Sequence, residues 1–417
     1  MSGAKDLLAG AHSSVERLEH FSPIIEELFH IEQDFLEKLY KKFYTTQSMR
    51  QQGSLAFYKC QLKRSNVNGQ VKGAFQPHSD FVHTVGEALL VRMCMEKFSM
   101  DTLESKPDFS KLNMPENIGK AHIKTRLPYF RQVVEQIVDE LYMGFNDLGC
   151  LPPVTVNVEN VSIEIPREQL NKHDFVDLKF PSGATFRVYN GKESTDDLQN
   201  YTIQFLMWYL HFVEFQDGIK EGDPYRTNIN IKRMIPFFYS HSNKSKYAVE
   251  CIDYILKSEV LLPESLSMRL RLSSFVNPHG IKGGNKPADM QQENNILVLK
   301  DVIKGLGAHK TNNAMERASA AAPVIAETVD NHISNLGCHM RRGVHCTKDK
   351  SEDVKHLVDI LGTVEPFKVV ENRKMVSFSS FRRNPFSTIS CEFQPHLLKI
   401  IGRLRRGQNI DIDNYDQ

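Results

Sequence analysis

The fold class is decided first by the stretch from Ser22 to Tyr44, which reads SPIIEELFHIEQDFLEKLYKKFY. Its apolar residues recur at every third or fourth position, the period of an amphipathic α-helix. Ser22 and Pro23 supply an N-cap and a first-turn proline. Between Glu16 and Lys38, seven acids stand against two bases, so the polar face is acidic. The stretch therefore predicts a long helix over 22–44 that buries one face in a core.

The same period continues outward along the chain. It predicts further helices at 79–100, 128–147, 195–216, 225–240, 244–261, 264–275, 288–306, 312–335, 351–361 and 394–406. Residues 150–192 differ, because valines and isoleucines alternate with polar residues at 154–158 and 161–165, and a hairpin is indicated around 180–188. A further strand is predicted at 375–381. The fold class is thus mostly α with a small β insertion (α+β), built as one large multi-helix unit.

These patterns divide the chain into five regions. They are an N-terminal helical region at 1–149, the β insertion at 150–192, a central helical region at 193–335, a mixed C-terminal region at 336–406 and an acidic tail at 407–417.

Composition and charge exclude several classes of protein. The 417 residues are 41% hydrophobic and 25% charged, which excludes collagen, a disulfide-rich miniprotein and a wholly disordered chain. The net charge of +1 gives no global attraction to nucleic acid or membrane, so such a partner would need a local patch. Seven dispersed cysteines indicate reduced thiols. The longest apolar stretch, 203–215, is too short and polar to span a bilayer. We expect an intracellular protein of the nucleus or cytoplasm without a membrane partner.

Two carboxylates open the helix predicted at 288–306. Asp289 and Glu293 are four residues apart and share one helix face. Paired carboxylates of this kind hold a divalent metal such as Mg²⁺, or act as general acid and base. They are also what a helix places in its first turn to complement its dipole. Both interpretations stay open from the residues alone.

Two other groups of residues are candidates for binding. Four soft ligands form a C-H-x5-H-C pattern that would suit zinc, although adjacent Cys and His side chains point in different directions; they are Cys338, His339, His345 and Cys346. Between residues 373 and 406 eight bases face one acid. The phosphate-binding candidates there are Arg382, Arg383, Arg403, Arg405 and Arg406. A solvated helix end beside an acidic tail explains the last three equally well. His30, inside the first apolar helix, is interpreted as a core or boundary residue.

Several of these segments together resemble a known family. The phrases RLSSFVN at 271–277, PADMQQENN at 287–295 and GLGAHKT at 305–311 are similar to motifs of domain-of-unknown-function family 6589, which occurs in fungi and invertebrates, often beside mobile elements. Asp289, Glu293, Asn295 and Lys300 match the family's central phrase. Phe29-His30 resembles its "D-W/F-H" phrase, and the similarity extends over about 22–385.

The resemblance implies a transposon-derived protein, with a degenerate ribonuclease-H-like remnant as its fold. Transposases of that type hold two metal ions with three carboxylates. Only the third is matched here, by Glu293; Leu28 stands where the second is expected, and the upstream "G-D-Q-L-T" phrase of the first is not in the sequence. We therefore expect a protein without an intact catalytic set, with a binding or interaction role, or a relic.

Two alternatives stay open. One is a metal-dependent nuclease or transposase-like subunit that uses Asp289, Glu293 and Mg²⁺ on DNA phosphodiesters. The other is a helical scaffold without a nucleic-acid role. A cleft that holds both Asp289 and Glu293 with a third carboxylate within metal-bridging reach, such as Glu26 or Glu27, would favour the nuclease.

Overall fold

A computed structural model describes most of the chain as helix. The described residues are 25–108, 118–146, 154–158, 161–165, 175–179, 185–189, 196–242, 245–278, 280–335, 349–370, 373–382, 385–386 and 390–405. The helices are α1 (Leu28–Phe43), α2 (Leu55–Gln61), α3 (Phe75–Lys97), α4 (Ile123–Asn146), α5 (Asp197–Glu221), α6 (Pro224–His241), α7 (Lys246–Leu256), α8 (Glu264–Ser273), α9 (Ala288–Gly305), α10 (Asn312–Asn335), α11 (Ser351–Val364) and α12 (Ser390–Arg405). The prediction of a mostly helical fold is confirmed.

Short strands make up the small β part. The strands are β1 (Val154–Val158), β2 (Val161–Ile165), β3 (Phe175–Lys179), β4 (Thr185–Tyr189), β5 (Phe275–Val276) and β6 (Lys286–Pro287). β1 pairs with β2 and β3 with β4 as antiparallel hairpins, both within the predicted 150–192 segment. β5 pairs with β6 antiparallel, and this pair joins α8 to α9. No helix in the described part of the chain is long and apolar enough to cross a membrane.

The core forms around α1 and α5. Trp208 is fully buried and stacks on Phe35 with ring centroids 4.8 Å apart. Phe43, at the end of α1, meets Phe205 of α5 edge to face at 5.6 Å. Aromatic pairs of this geometry add to the apolar area that they bury. The pairs fix α1 against α5, and so fix where the first turn of α1 lies.

The start of α1 differs from the prediction. Residues 25–27 are not helical, and the helix begins at Leu28, so the expected N-cap at Ser22 is wrong. Ser22 itself lies outside the described residues. The apolar period extends further than the helix, because Ile25 packs against the same core from an extended segment. Glu27 is the N-cap residue of α1, yet its side chain makes no capping hydrogen bond.

The strand predicted at 375–381 is also wrong. Residues Val376–Arg382 form two short 3₁₀ turns that meet at a kink at Phe378, whose φ of −139° and ψ of 42° are not helical. Met375, Phe378 and Phe381 are buried, so every third residue of this segment faces the core. Phe378 and Phe381 pack on Tyr201 of α5, with ring centroids 4.8 and 5.3 Å away.

A bidentate ion pair ties this C-terminal segment to α5. Asp196 caps α5 by accepting the N–H groups of Leu198 and Gln199, each at 3.0 Å. The same carboxylate takes two hydrogen bonds from Arg373, from Nε at 2.8 Å and from Nη2 at 2.5 Å. One buried acid therefore serves both as helix cap and as anchor for the chain that follows α11.

Candidate functional site

Asp289 connects two elements that are far apart in sequence. It lies in the first turn of α9 and is 3% exposed. Its Oδ1 accepts the backbone N–H of Phe29 at 3.1 Å, and its Oδ2 accepts that of His30 at 3.1 Å. These are two of the amide groups that the start of a helix leaves without a partner inside the helix. Asp289 thus caps α1 from 260 residues away.

His30 makes the third contact with this carboxylate. Its Nδ1 lies 2.8 Å from Asp289 Oδ2, so Nδ1 carries a proton and donates it. The hydrogen bond from Asp289 raises the pKa of His30, and the charges of Asp289, Glu26 and Glu27 act in the same direction against the effect of burial. With 39% of its side chain exposed, the imidazole reaches the surface. It is therefore the boundary residue that the sequence indicated, but with a specific acidic partner.

Glu27 brings a second carboxylate to the same place. Burial raises its pKa, the charge of Asp289 raises it further, and His30 opposes both. One ligand atom from each of Glu27, His30 and Asp289 can be chosen so that all three lie within 4.8 Å of one another. Two carboxylates and the unprotonated ring nitrogen of an imidazole are a donor set for a divalent cation, so a cation must compete with the proton that the raised pKa of His30 retains. A cation here would offset both causes of the raised pKa of Glu27, its burial and the charge of Asp289.

The strand pair β5–β6 positions Asp289 in this cluster. Phe275 stands opposite Pro287 in the register, and the N–H of Ala288 donates to the carbonyl of Ser274 at 2.9 Å. The end of α8 is therefore held against the start of α9. The phrases that carry the family resemblance, at 271–277 and 287–295, are the ones that build this junction.

An open cavity of about 370 Å³ borders the cluster. Glu27 and Asp289 form part of its wall, and Arg269 adds a guanidinium from α8. Its remaining wall mixes apolar side chains with two hydroxyls; these residues are Ile25, Leu28, Leu266, Leu270, Ser273, Ser274 and Ala288. A group bound to the cluster would therefore meet acidic, basic and hydroxyl groups within one space.

The carboxyl of Glu32 interacts electrostatically with Asp289 of the cluster. Glu32 is buried on α1, and burial raises its pKa to about 7. The charge of Asp289 raises it as well, while a hydrogen bond from Gln216 lowers it. With a pKa of about 7, the Glu32 carboxyl is about half protonated near neutral pH.

Asp289 and Glu293 were predicted as a pair, but Asp289 is buried and Glu293 is exposed. Glu293 is exposed one turn further along α9 and lies outside the cluster. Asp289 meets Glu27 and His30 instead. Glu26, named with Glu27 as a third acid, is buried beside them, and its charge contributes to the raised pKa of His30. Helix spacing did not identify His30 as a site residue. The sequence feature that pointed to it was the resemblance of Phe29-His30 to a family phrase.

The other predicted sites fall largely outside the described residues. Cys338, His339, His345 and Cys346 lie there, as do Arg383 and Arg406. Arg382 is the last residue of the 3₁₀ segment Val376–Arg382, and Arg405 is the last residue of α12. Arg403 lies on α12 and is half-buried.

Comparison with known proteins gives a single assignment. No curated protein and no solved structure matches the chain. The profile of the family of unknown function DUF6589 matches residues 1–345, which include α1, the junction between α8 and α9, and all three residues of the cluster. The chain therefore belongs to the family of unknown function DUF6589.

Proposed function

We propose that this protein binds one divalent metal ion at Glu27, His30 and Asp289. The observation that carries the proposal is the meeting of three ligand atoms within 4.8 Å at the rim of an open cavity. The ligands come from the extended segment before α1, from α1 and from α9, so the fold itself assembles them. Asp289 is held by two backbone N–H groups, which orient its carboxylate before any ion arrives.

The donor set favours one class of metal over another. Mg²⁺ prefers oxygen ligands and keeps several waters, Mn²⁺ also takes oxygen ligands, and imidazole suits Zn²⁺ and Fe²⁺. Because His30 supplies an imidazole, we expect Zn²⁺ to bind more tightly than the Mg²⁺ that the carboxylates alone suggested.

The cavity indicates what the site would act on. A divalent ion held by three protein ligands supplies a Lewis acid and lowers the pKa of a bound water. Arg269 faces the same cavity and would pair with an anionic oxygen. We therefore infer a metal-dependent nuclease or transposase-like role on DNA phosphodiesters. The family resemblance supports this substrate, together with a mobile-element origin and a ribonuclease-H-like ancestry. The dispersed cysteines support a location inside the cell.

A second candidate is a non-catalytic binding protein or relic, in which the cluster is structural. The observation that favours it is the capping role of Asp289, whose carboxylate already receives three hydrogen bonds. In that case DNA would be bound only through the basic segment at 373–406. Arg373 does not belong to that DNA surface, because Asp196 holds its guanidinium.

Metal titration of the full chain separates the two candidates. Calorimetry with Mn²⁺, Zn²⁺ and Mg²⁺ should give one site per chain. Loss of an outer-shell partner already weakens metal binding by about 10–100-fold, so Glu27→Gln should weaken it at least that much. Glu293→Gln is the matched control, because Glu293 is an exposed acid on the same helix as Asp289. Equal affinity of both variants would reject the site.

Cleavage of a labelled DNA duplex then tests the chemistry. The nuclease proposal expects metal-dependent cleavage that Glu27→Gln abolishes and Arg269→Ala reduces. Metal binding without cleavage would leave the metal site standing and remove the nuclease role.

A further inference from the structure

One helix exposes a row of large apolar side chains. On α4, Ile123, Leu127, Phe130 and Val134 are 39–59% exposed. They follow each other at intervals of four, three and four residues, so they lie on one face of the helix, as in the seam of a coiled coil. Scattered apolar residues on a surface need no explanation, whereas a contiguous row marks an interaction site. These four residues are the α4 seam.

The same spacing continues into the core of the protein. Ile137 and Leu141 extend the row by three and then four residues, and both are buried. Ile137 packs with Val133 and Ile118 in a small cluster, and Leu141 belongs to the main core. The part of the chain that the structure describes therefore covers the second half of the row and leaves the α4 seam exposed.

Contacts with α3 hold this helix in place. Met93 and Cys94 of α3 pack on the small cluster, and Lys97 of α3 forms an ion pair with Glu140 of α4. The α4 seam is thus presented by a helix whose position is already fixed. Such preorganisation lowers the entropic cost of binding a partner.

The α4 seam lies in a basic surrounding. From Lys120 to Val134 the chain has four bases and no acid; the bases are Lys120, Lys124, Arg126 and Arg131. The acids of α4 all follow the seam; they are Glu135, Asp139 and Glu140. At 3.6 residues per turn, Lys124 and Arg131, which are both exposed, lie along one edge of the seam, and Arg126 lies along the other. A partner therefore meets positive charge at both edges.

This charge pattern disfavours a second copy of the chain as the partner. In an antiparallel pair centred on the seam, Lys124 of one copy would lie near Arg131 of the other. In a parallel pair, Arg126 would lie near Arg131. Both arrangements place like charges together, which opposes association.

We propose that the α4 seam binds an amphipathic helix of a second protein, with apolar residues at the same spacing and with Asp or Glu along both edges. The spacing of the seam fits another helix, and the positive charge at its edges fits an acidic one. The seam is about 16 Å long, so about three turns of the partner helix would cover it. The inference goes beyond the proposed metal site and does not depend on it, because no residue of the seam belongs to the metal cluster or lines its cavity.

A synthetic peptide tests the surface on the full chain. The probe is a fluorescein-labelled peptide of about three heptads, with Leu at the core positions and Glu at the positions that flank them. The matched control has Lys in place of each Glu. Fluorescence anisotropy should show that the acidic peptide binds at least about tenfold more tightly than the basic one. Its affinity should fall as salt rises from about 0.05 to about 0.3 M, because salt screens exposed charges. Equal affinity for both peptides overturns the proposal.

Substitutions in the α4 seam test the assignment to these residues. Leu127→Ser combined with Phe130→Ser should weaken binding of the acidic peptide by about tenfold or more, since two apolar anchors are lost. Met143→Ser is the control, because Met143 is a 64% exposed apolar residue of α4 outside the seam. Lys124→Glu combined with Arg131→Glu should reverse the preference, so that the basic peptide binds more tightly.

The remaining occupants of the seam are separated by three further measurements. Because the seam is exposed, the Leu127 and Phe130 change should leave the urea midpoint of the chain alone unchanged; a lower midpoint would show that the chain itself covers the seam. Sedimentation of the chain alone should show no association that this change removes. Vesicles rich in phosphatidylserine should bind no more tightly to the native chain than to the variant. The opposite result in any of the three identifies another occupant and overturns the proposal.

Discussion

His30 and Asp289 contact each other twice, once through the imidazole at 2.8 Å and once through the His30 backbone N–H at 3.1 Å. The residues are separated by 259 positions in the chain. This double contact places a carboxylate at the start of α1 and an imidazole beside it, so one acid both caps a helix and builds the candidate metal site.

The capping role predicts a loss of stability when Asp289 is truncated. Asp289→Ala should lower the free energy of unfolding by about 1–3 kcal/mol, because two amide groups at the start of α1 lose their acceptor. Asp289→Asn should cost less, since an amide oxygen still accepts one of them. Urea denaturation of the metal-free protein measures both. Glu293→Ala, which removes an exposed acid from the same helix, should stay within about 0.5 kcal/mol of the native protein.

The packing of α3 against α5 predicts a strong effect at Gly86. A Cβ at this position would lie 2.3 Å from Tyr209 Cε1, and Tyr209 cannot retreat because it is buried against Phe205. Gly86→Ala should therefore destabilise the protein by about 1–3 kcal/mol. Gly305→Ala, in α9 with nothing within 4 Å of the added methyl group, should be neutral or stabilising by up to about 1 kcal/mol. Thermal unfolding distinguishes them, and a neutral Gly86→Ala would contradict the helix contact.

The pH dependence of stability should reveal His211. Burial lowers its pKa to about 4, with Arg233 acting in the same direction. The unfolded chain, with a pKa near 6.5, takes up the proton first. The native state is therefore fully favoured above about pH 6.5 and loses stability as the pH falls toward 4.

A comparison with His211→Gln isolates this contribution from that of other groups. The native protein should lose about 2–3 kcal/mol more than the variant between pH 7 and pH 4. Denaturant unfolding at several pH values measures the difference. Parallel pH profiles would show that folding does not lower the pKa of His211.

The Asp196–Arg373 pair predicts how the C-terminal segment is retained. Asp196 is 2% exposed and Arg373 is 20% exposed, so Arg373→Ala leaves a buried carboxylate with its cap but without its cation. We expect a loss of about 2–4 kcal/mol and faster hydrogen exchange in Val376–Arg382. Arg373→Lys should be intermediate, since an ammonium cannot make the bidentate contact. Lys304→Ala, which breaks a pair on the surface, should cost no more than about 0.5 kcal/mol.

Sequence patterns predicted the helices better than the site, for a physical reason. Helical periodicity is local, and the helix expected at 312–335 is observed with those bounds. The strand expected at 375–381 was wrong because Phe378 and Phe381 both pack on Tyr201 of α5, and a kinked pair of 3₁₀ turns brings them there.

The site depended on contacts that no local pattern reports. The spacing of Asp289 and Glu293 describes one helix face, whereas the partners of Asp289 belong to another element, brought near by the β5–β6 pair. Asp289 could be predicted as a candidate, and Glu27 was named as a neighbouring acid. Their meeting with His30 is a consequence of tertiary structure.

The distance in sequence between α1 and its cap bears on how the protein is made. During synthesis α1 leaves the ribosome long before α9, and contacts of such separation form late in folding. Until residue 289 emerges, the first turn of α1 lacks its acceptor and the three ligand atoms cannot meet. A nascent chain therefore lacks the site, and any activity there begins only after residue 289 has been translated.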